Sequence, residues 1–286
     1  MDGIPETDIM MIGHFARDRV VVDGQGKTVS GGAVYYGSVA LRRLGIRVAV
    51  VTRLHPDDFP LLEELKQEGV QVFASEAPQT SGIENIYSSA DMDRRICKPL
   101  GFAGPIAPEE IPDLAAQIYV AAAIIAGEID LALLKTLARR GPVALDVQGF
   151  VRVRDGGDLV FRQWPDMEAG LAQVTYLKVD RAEAELLTGQ TDLEQAARQL
   201  SEYGPGEIVV TQSSGVTVLA QGRIFAAPFT SCSLSGRTGR GDTCFSSYLG
   251  WRLAHSPEEA TRLAAAITSV KQETPGPWRG GLADLQ

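Results

Sequence analysis

Histidine and cysteine are scarce in this chain, and the scarcity removes whole classes of chemistry. Three histidines, His14, His55 and His255, lie far apart, which leaves little material for a histidine zinc site or a Ser-His-Asp hydrolase. The three cysteines, Cys97, Cys232 and Cys244, show no C-x-x-C spacing, so neither a disulfide framework nor a zinc site is expected and the thiols read as reduced. Positive charge is also in deficit, with 27 Lys and Arg against 36 Asp and Glu and a formal net charge of -9. Nucleic-acid and anionic-membrane binders need clustered positive charge, so neither partner is expected. No apolar run approaches the length of a membrane span, and Met1 to Asp8 is acidic and polar, unlike a secretory leader. The expected location is the cytoplasm. At 286 residues the chain can bury one large α/β core or two small ones.

What is abundant is glycine in chemically suggestive places. Ser235 to Tyr248 reads SGRTGRGDTCFSSY, and an apolar-periodic run from Cys244 to Leu253 predicts a helix opening directly behind the glycines. Amides of a first helical turn have no intrahelical partner and the helix dipole adds positive character there. Gly239, Arg240 and Gly241 can therefore converge on a phosphoryl oxygen. Asp242, a carboxylate beside a site built for anions, suits a group that takes a proton from an attacking hydroxyl. Helix capping alone would also explain the aspartate, though not the glycine-rich approach.

Along the chain, Asp8 to Gly13 has the form of a buried parallel strand opening into the loop His14 to Asp18. Arg19 to Ser30 predicts a hairpin, whose Gly26-Lys27-Thr28 is no P-loop because position 21 is Val21. Gly31-Gly32 opens a helix that ends at Leu44-Gly45. A strand is expected over Ile46 to Thr52, an amphipathic helix over Asp57 to Glu68 and a strand over Val70 to Phe73. Alternation from Thr80 to Lys98, with Asp91-Met92-Asp93 as a turn, predicts further strands of a small β-lid joined to the hairpin. Such lids exclude water from a reacting phosphate. Strand-helix alternation returns with a strand over Ile118 to Ile125, a helix over Glu128 to Arg140, and strands over Val143 to Val147, Val174 to Val179 and Glu207 to Thr211. A final helix runs from Glu258 to Lys271. This pattern implies a doubly wound, mostly parallel sheet. The tripeptide Arg240-Gly241-Asp242 also matches an integrin-binding sequence, a reading disfavoured by its place at the start of a helix.

Thr-Gly-Arg-Gly-Asp-Thr-Cys-Phe (Thr238 to Phe245) resembles the C-terminal signature of the ribokinase-like (PfkB-type) carbohydrate kinases, D-T-x-G-A-G-D-x-F. Gly31 to Gly45 resembles their N-terminal signature, with Tyr36 in place of an asparagine and Ser38 in place of an alanine. The resemblance runs from Asp18 to Pro277. It implies one ribokinase-like α/β kinase domain over residues 1–286, with lid segments at about 19–30 and 80–98, transferring phosphate from ATP to a hydroxyl of a sugar or a cyclitol such as inositol. It implies Asp242 as base and Gly239 to Gly241 as anion hole, with Arg240 set against the phosphate or an acidic substrate group. Asp18, Gly31, Gly32 and Tyr36 would contact the acceptor. Asn85 and Arg95 are candidate lid contacts, although exposed lid strands carry polar residues anyway.

Asp180-Arg181-Ala182-Glu183 resembles the family's N-x-x-E motif, which implies that Asp180 and Glu183 position Mg²⁺ through water. The same four residues are also nearly a capping box. Thr211, Ser213, Gly215 and Thr238 would hold the nucleotide phosphates, and Ala265 and Thr268 would lie near the adenine. A hairpin turn at 211–215 and ordinary helix packing at Ala264 to Ala266 would look much the same. Gly236 stands in place of the family's first aspartate, which puts a monovalent-cation requirement in doubt. Lid strands in this family often pair between subunits, so a homodimer is an expectation. Two other readings stay open: a nucleoside kinase of the same fold, and a non-catalytic nucleotide-binding regulatory protein, kept alive by Gly236, Tyr36 and Ser213.

Overall fold

A computed structural model describes residues 6–88 and 91–285, with the backbone alone described at 87–88 and 91–95. The strands are β1 (Thr7–Ile12), β2 (Ala16–Val22), β3 (Gln25–Gly31), β4 (Val48–Leu54), β5 (Gln71–Glu76), β6 (Gly82–Ser88), β7 (Asp91–Gly101), β8 (Ala116–Ala121), β9 (Val143–Asp146), β10 (Arg152–Asp155), β11 (Asp158–Phe161), β12 (Tyr176–Asp180), β13 (Glu207–Gln212), β14 (Gly215–Ala220) and β15 (Arg223–Pro228). The α-helices are α1 (Ala33–Arg43), α2 (Glu63–Gln67), α3 (Leu131–Arg140), α4 (Gln148–Val151), α5 (Met167–Leu171), α6 (Arg181–Thr188), α7 (Leu193–Ser201), α8 (Arg240–Arg252) and α9 (Pro257–Lys271).

Nine strands form one sheet in the order β15-β14-β13-β12-β9-β8-β1-β4-β5, parallel from β5 through β13 and antiparallel at β14 and β15. Successive side chains of a strand face opposite sides. In β1, Met10 and Ile12 therefore join the core under α3, α6 and α7, while Ile9 and Met11 join the core under α1, α8 and α9. The doubly wound architecture expected from the alternation is present.

A second sheet, β3-β2-β6-β7, unites the two segments expected as a lid. Its β2–β3 hairpin turns through Asp23 (φ 47°) and Gly24 (φ 83°), the pair of positive φ values that a tight two-residue turn needs. Arg17 N donates to Ser81 O at 2.8 Å, linking the start of the hairpin to the second pair of lid strands.

Several expected elements are corrected. Asp57 to Glu68 is not one helix: a 3₁₀ segment, Pro56–Leu62, precedes α2, because Pro60 has no N–H to donate and crowds the preceding turn. The helix expected from Glu128 starts at Leu131, capped by Asp130, whose Oδ1 accepts from Leu133 N at 2.7 Å. Glu128 turns inward instead, and its Oε1 accepts from Ile124 N (2.9 Å) and Ile125 N (2.7 Å). That arrangement ends β8 at Ala121, short of the expected Ile125. Asp91 to Asp93 belong to β7, with Asp91 paired to Ser88, so the connection falls at residues 89–90, outside the described residues. The β10–β11 hairpin adds to the expected elements, and Asp155-Gly156-Gly157-Asp158 carries its turn signal, with φ 59° and 97° at the two glycines.

Candidate active site

The parallel strands β1, β9, β12 and β13 all end on the same side of the sheet, where open α/β sheets gather ligands. Over those ends lies a polar cavity of about 220 Å³. Its floor is the start of α8. Gly239 caps that helix in the left-handed region at φ 79°, and a Cβ there would stand 2.3 Å from Tyr36 Cγ, so both the backbone angle and the aromatic neighbour require glycine. Among the three amides expected to converge on an anion, that of Arg240 is withdrawn, because it donates to Arg237 O at 3.1 Å in a tight turn. The amides of Gly239, Gly241 and Asp242 have no backbone acceptor among the described residues. The amides left to meet an anion are therefore Gly239, Gly241 and Asp242 rather than Gly239, Arg240 and Gly241.

Asp242 sits in the first turn of α8, half-buried at the cavity wall. Burial, reinforced by the Asp146 carboxylate, pushes its pKa up to about 6 against the opposing pull of Lys178, Arg152 and Lys271. A carboxylate tuned upward is a stronger base than an ordinary one and is still ionised near neutrality.

Beside it lies a group of charges in which Asp180 and Glu183 are expected from the sequence and Lys178 and Asp146 are not. Lys178, on β12, is 4% exposed and reaches Asp146 at 3.1 Å and Glu183 Oε2 at 3.7 Å. Burial alone would depress the lysine; the carboxylates of Asp146, Glu183, Asp180 and Asp242 outweigh that and keep it charged. A Cβ on Gly241 would come within 3.3 Å of Lys178 Nζ, so the bare glycine backbone accommodates the ammonium. Arg152, whose Nε donates to Ile124 O at 2.8 Å, lines the same cavity, as do Arg237, Arg240 and Gln148. The legible signal was Lys178 itself, a lone charge inside the apolar strand Tyr176–Asp180.

Asp180 and Glu183 form the capping box, with Asp180 Oδ1 accepting from Glu183 N at 2.8 Å and Glu183 Oε2 accepting from Asp180 N at 2.6 Å. Capping does not exhaust the pair. Glu183 Oε1 is buried without a hydrogen-bond partner among the described residues, and burial raises the group to about 7 although Lys178 pulls the other way. No cluster of three metal-ligating side chains occurs among the described residues. What the pair fits is a Mg²⁺ that keeps most of its water and takes its other oxygens from a phosphate ligand.

At the opposite end, Asp18 Oδ1 accepts from Ile83 N at 2.8 Å, which ties the acceptor candidate to lid strand β6. A Cβ on Gly31 would stand 2.2 Å from Asp18 Oδ2, and Gly32 (φ 90°) opens α1 with His14 O 2.5 Å from where its Cβ would be. Asp18, Gly32, Tyr36, Asp180, Thr211 and Thr238 all line the cavity with Arg240, Gly241 and Asp242. His14 does not: it is fully buried, with Nδ1 2.7 Å from Ser81 Oγ and 3.5 Å from Glu128 Oε2, and burial lowers its pKa.

Of the remaining candidates, Asn85, Ser213, Gly215, Ala265 and Thr268 do not line the cavity. Asn85 faces the same side of β6 as Ile83 but is buried against the lid, accepting from the Cys97 thiol at 3.4 Å. Arg95 lies outside the described residues as far as its side chain is concerned. Ser213 is in the two-residue turn of the β13–β14 hairpin, and Gly215 sits where a Cβ would meet Ala227 O at 2.5 Å. Ala265 and Thr268 are buried in helix packing, with the Thr268 hydroxyl donating to Ala264 O at 2.6 Å. Gly236 cannot be an aspartate in this backbone, because a Cβ would stand 1.8 Å from Thr274 O. Among the described residues no helix is long and apolar enough to cross a membrane.

Residues 6–279 match the family described as pfkB family carbohydrate kinase. No curated protein matches the chain. Among solved structures, the chain is 38% identical to a pyrophosphate-dependent kinase in the ribokinase family in complex with sulfate, covering 95% of this chain and 97% of that one with a TM-score of 0.90. It is 36% identical to a pyrophosphate-dependent kinase in the ribokinase family complexed with a pyrophosphate analog and myo-inositol, covering 95% and 97% with a TM-score of 0.89. The ribokinase of Arabidopsis thaliana, complexed with ribose and ATP, is 20% identical over 98% of both chains with a TM-score of 0.77, a likeness of fold.

Proposed function

The chain belongs to the pfkB family of carbohydrate kinases, phosphotransferases of ribokinase-like fold that act on an alcohol, and on that premise we propose that it phosphorylates a hydroxyl of a cyclitol such as myo-inositol with inorganic pyrophosphate as donor. The single observation that carries the chemistry is Asp242, raised to about 6 in the first turn of α8 at the wall of a cavity lined by Arg152, Lys178, Arg237 and Arg240. Four cations around so small a space suit a ligand that is phosphate throughout. The pyrophosphate-dependent kinases similar to this chain support the donor, and the myo-inositol complex supports the acceptor. The positions expected to hold a nucleoside, Ser213, Gly215, Ala265 and Thr268, are not among the residues that line the cavity.

In this reading Asp18 and the Gly32 backbone orient the acceptor, and Asp242 takes the proton of its hydroxyl. The hydroxyl oxygen attacks the near phosphorus as the bridging P–O bond breaks, and orthophosphate leaves with the bond electrons. The amides of Gly239, Gly241 and Asp242 hold the oxygens of the moving phosphoryl group. Asp180 and Glu183 would hold Mg²⁺ through water, and that ion would neutralise charge on the donor.

Steady-state turnover with pyrophosphate and with ATP, across myo-inositol, ribose, fructose and a nucleoside, tests the proposal. Pyrophosphate with myo-inositol is expected to give the highest kcat/KM, and Asp242→Asn to abolish it. A preference for ATP overturns the donor assignment, and turnover indifferent to Asp242→Asn overturns the mechanism.

A further inference from the structure

Lys271 is the last residue of α9 and is 1% exposed, yet among the described residues it meets no carboxylate within salt-bridge distance. Its Nζ donates to two backbone carbonyls, those of Gly236 and Thr238, and lies 5.0 Å from the centroid of the Tyr36 ring. A buried ammonium is costly unless such partners surround it. The carbonyls it has gathered belong to the turn directly before α8. That turn is strapped to the end of α9 at two further points, Gly236 N to Gln272 O (2.8 Å) and Ser235 Oγ to Glu273 O (2.7 Å).

The Thr238 carbonyl shares its peptide plane with the Gly239 amide. In a trans peptide the C=O and N–H point in opposite directions, and no cis bond occurs among the described residues. Drawing the Thr238 oxygen toward Lys271 therefore turns the Gly239 N–H away from the lysine. It also keeps the negative end of that dipole off the anion site. Tyr36, packed on Gly239 and beneath the ammonium, closes the third side of the clamp.

We propose that the Lys271 ammonium is a tethered internal cation that fixes the Thr238–Gly239 peptide with its N–H aimed at the transferring phosphoryl group, a positioning residue that makes a free monovalent cation unnecessary. The proposal rests on the reading of Gly239 to Asp242 as anion cradle and base. Burial lowers the Lys271 pKa to about 8 although Asp242 opposes the shift, so the lysine remains mostly charged at neutral pH.

The test uses the full chain as wild type, Lys271→Met and Lys271→Ala, each assayed in KCl, NH₄Cl, NaCl and tetramethylammonium chloride for kcat, acceptor KM and melting temperature. Wild-type kcat is expected to be the same in every salt. Lys271→Met, similar in length but uncharged, is expected to fold and to lose on the order of 10²-fold in kcat, the scale of a misplaced catalytic contact, with KM little changed. Lys271→Ala should lose as much and regain activity with NH₄⁺ or K⁺ but not with tetramethylammonium. The same cations should raise its melting temperature and leave that of the wild type unmoved. Wild-type kcat that needs K⁺, Lys271→Met with undiminished kcat, or a folded Lys271→Ala that no cation restores each overturns the proposal. Should Lys271→Ala fail to fold, the methionine variant and the wild-type salt series decide. A wild type that transfers phosphate from neither donor refutes the kinase reading instead, and the cation-specific melting response of Lys271→Ala then still decides whether the two carbonyls form a cation clamp.

Discussion

The two walls of the cavity are built on opposite principles. The floor, formed by the ends of β9 and β12 and the start of α8, buries Asp146, Lys178 and Glu183, and burial there raises the pKa of Glu183 and Asp242 while the surrounding carboxylates hold Lys178 charged. The lid sheet keeps its ion pairs, such as Arg19 with Glu84 at 3.1 Å, near water and turns Ile96 (60% exposed) and Leu100 (51%) outward. Charge in the floor is desolvated and therefore strong, so each group sets the protonation of the others. Apart from the buried Asp18 at the cavity, charge such as the Arg19–Glu84 pair on the lid is screened and nearly independent. Chemistry belongs in the first environment. Recognition and water exclusion need only the second.

Experiments can break this contrast. The largest expected effect is on turnover: Asp242→Asn should lower kcat by about 10²- to 10⁴-fold, the usual worth of a general base. It should do so without loss of thermal stability, because a carboxylate whose pKa is raised by burial is held at a cost when charged. A melting temperature that falls with kcat would mean that the aspartate is chiefly structural. Next is stability. Lys178→Met leaves Asp146 and Glu183 facing each other unpaired, and breaking such a buried pair should cost about 3–5 kcal/mol by urea denaturation. A cost no larger than that of a surface pair would erase the distinction between floor and lid.

The third expected effect is in pH. With Asp242 at about 6, kcat/KM should fall as the pH drops through 6, roughly tenfold per unit once the base is protonated. The sign for stability runs the other way. The folded state binds this proton more tightly than the unfolded chain does, so the group favours folding at low pH and that contribution is lost as pH rises through about 6. An acid limb near the ordinary aspartate value would place the base elsewhere. The smallest effect is expected in the lid, where Ile96→Thr should change stability by less than about 0.5 kcal/mol. A larger loss would show that this edge is covered in solution.

Much of the scaffold was legible in order along the chain. The glycines before α8, the aspartate in its first turn, the β2–β3 hairpin and the long α9 each follow from signals a few residues wide. The 57–68 helix failed at Pro60, a signal present but overridden by the amphipathic pattern around it. Glu128 failed differently: nothing local says that a carboxylate just before a helix will turn inward to hold His14 N at 3.1 Å, 114 residues away.

By itself the sequence determined the doubly wound pattern, the lid hairpin and a helix start able to seat an anion beside Asp242, because backbone angle, capping and periodicity are local properties. Only the tertiary structure decided that Lys178 stands between Asp146 and Glu183, that Lys271 closes on Gly236 and Thr238, and that the Arg240 amide is withdrawn from the cradle. Those outcomes depend on groups tens of residues apart meeting in a space with little water. There the strength of a charge is fixed by what surrounds it rather than by the residue that carries it.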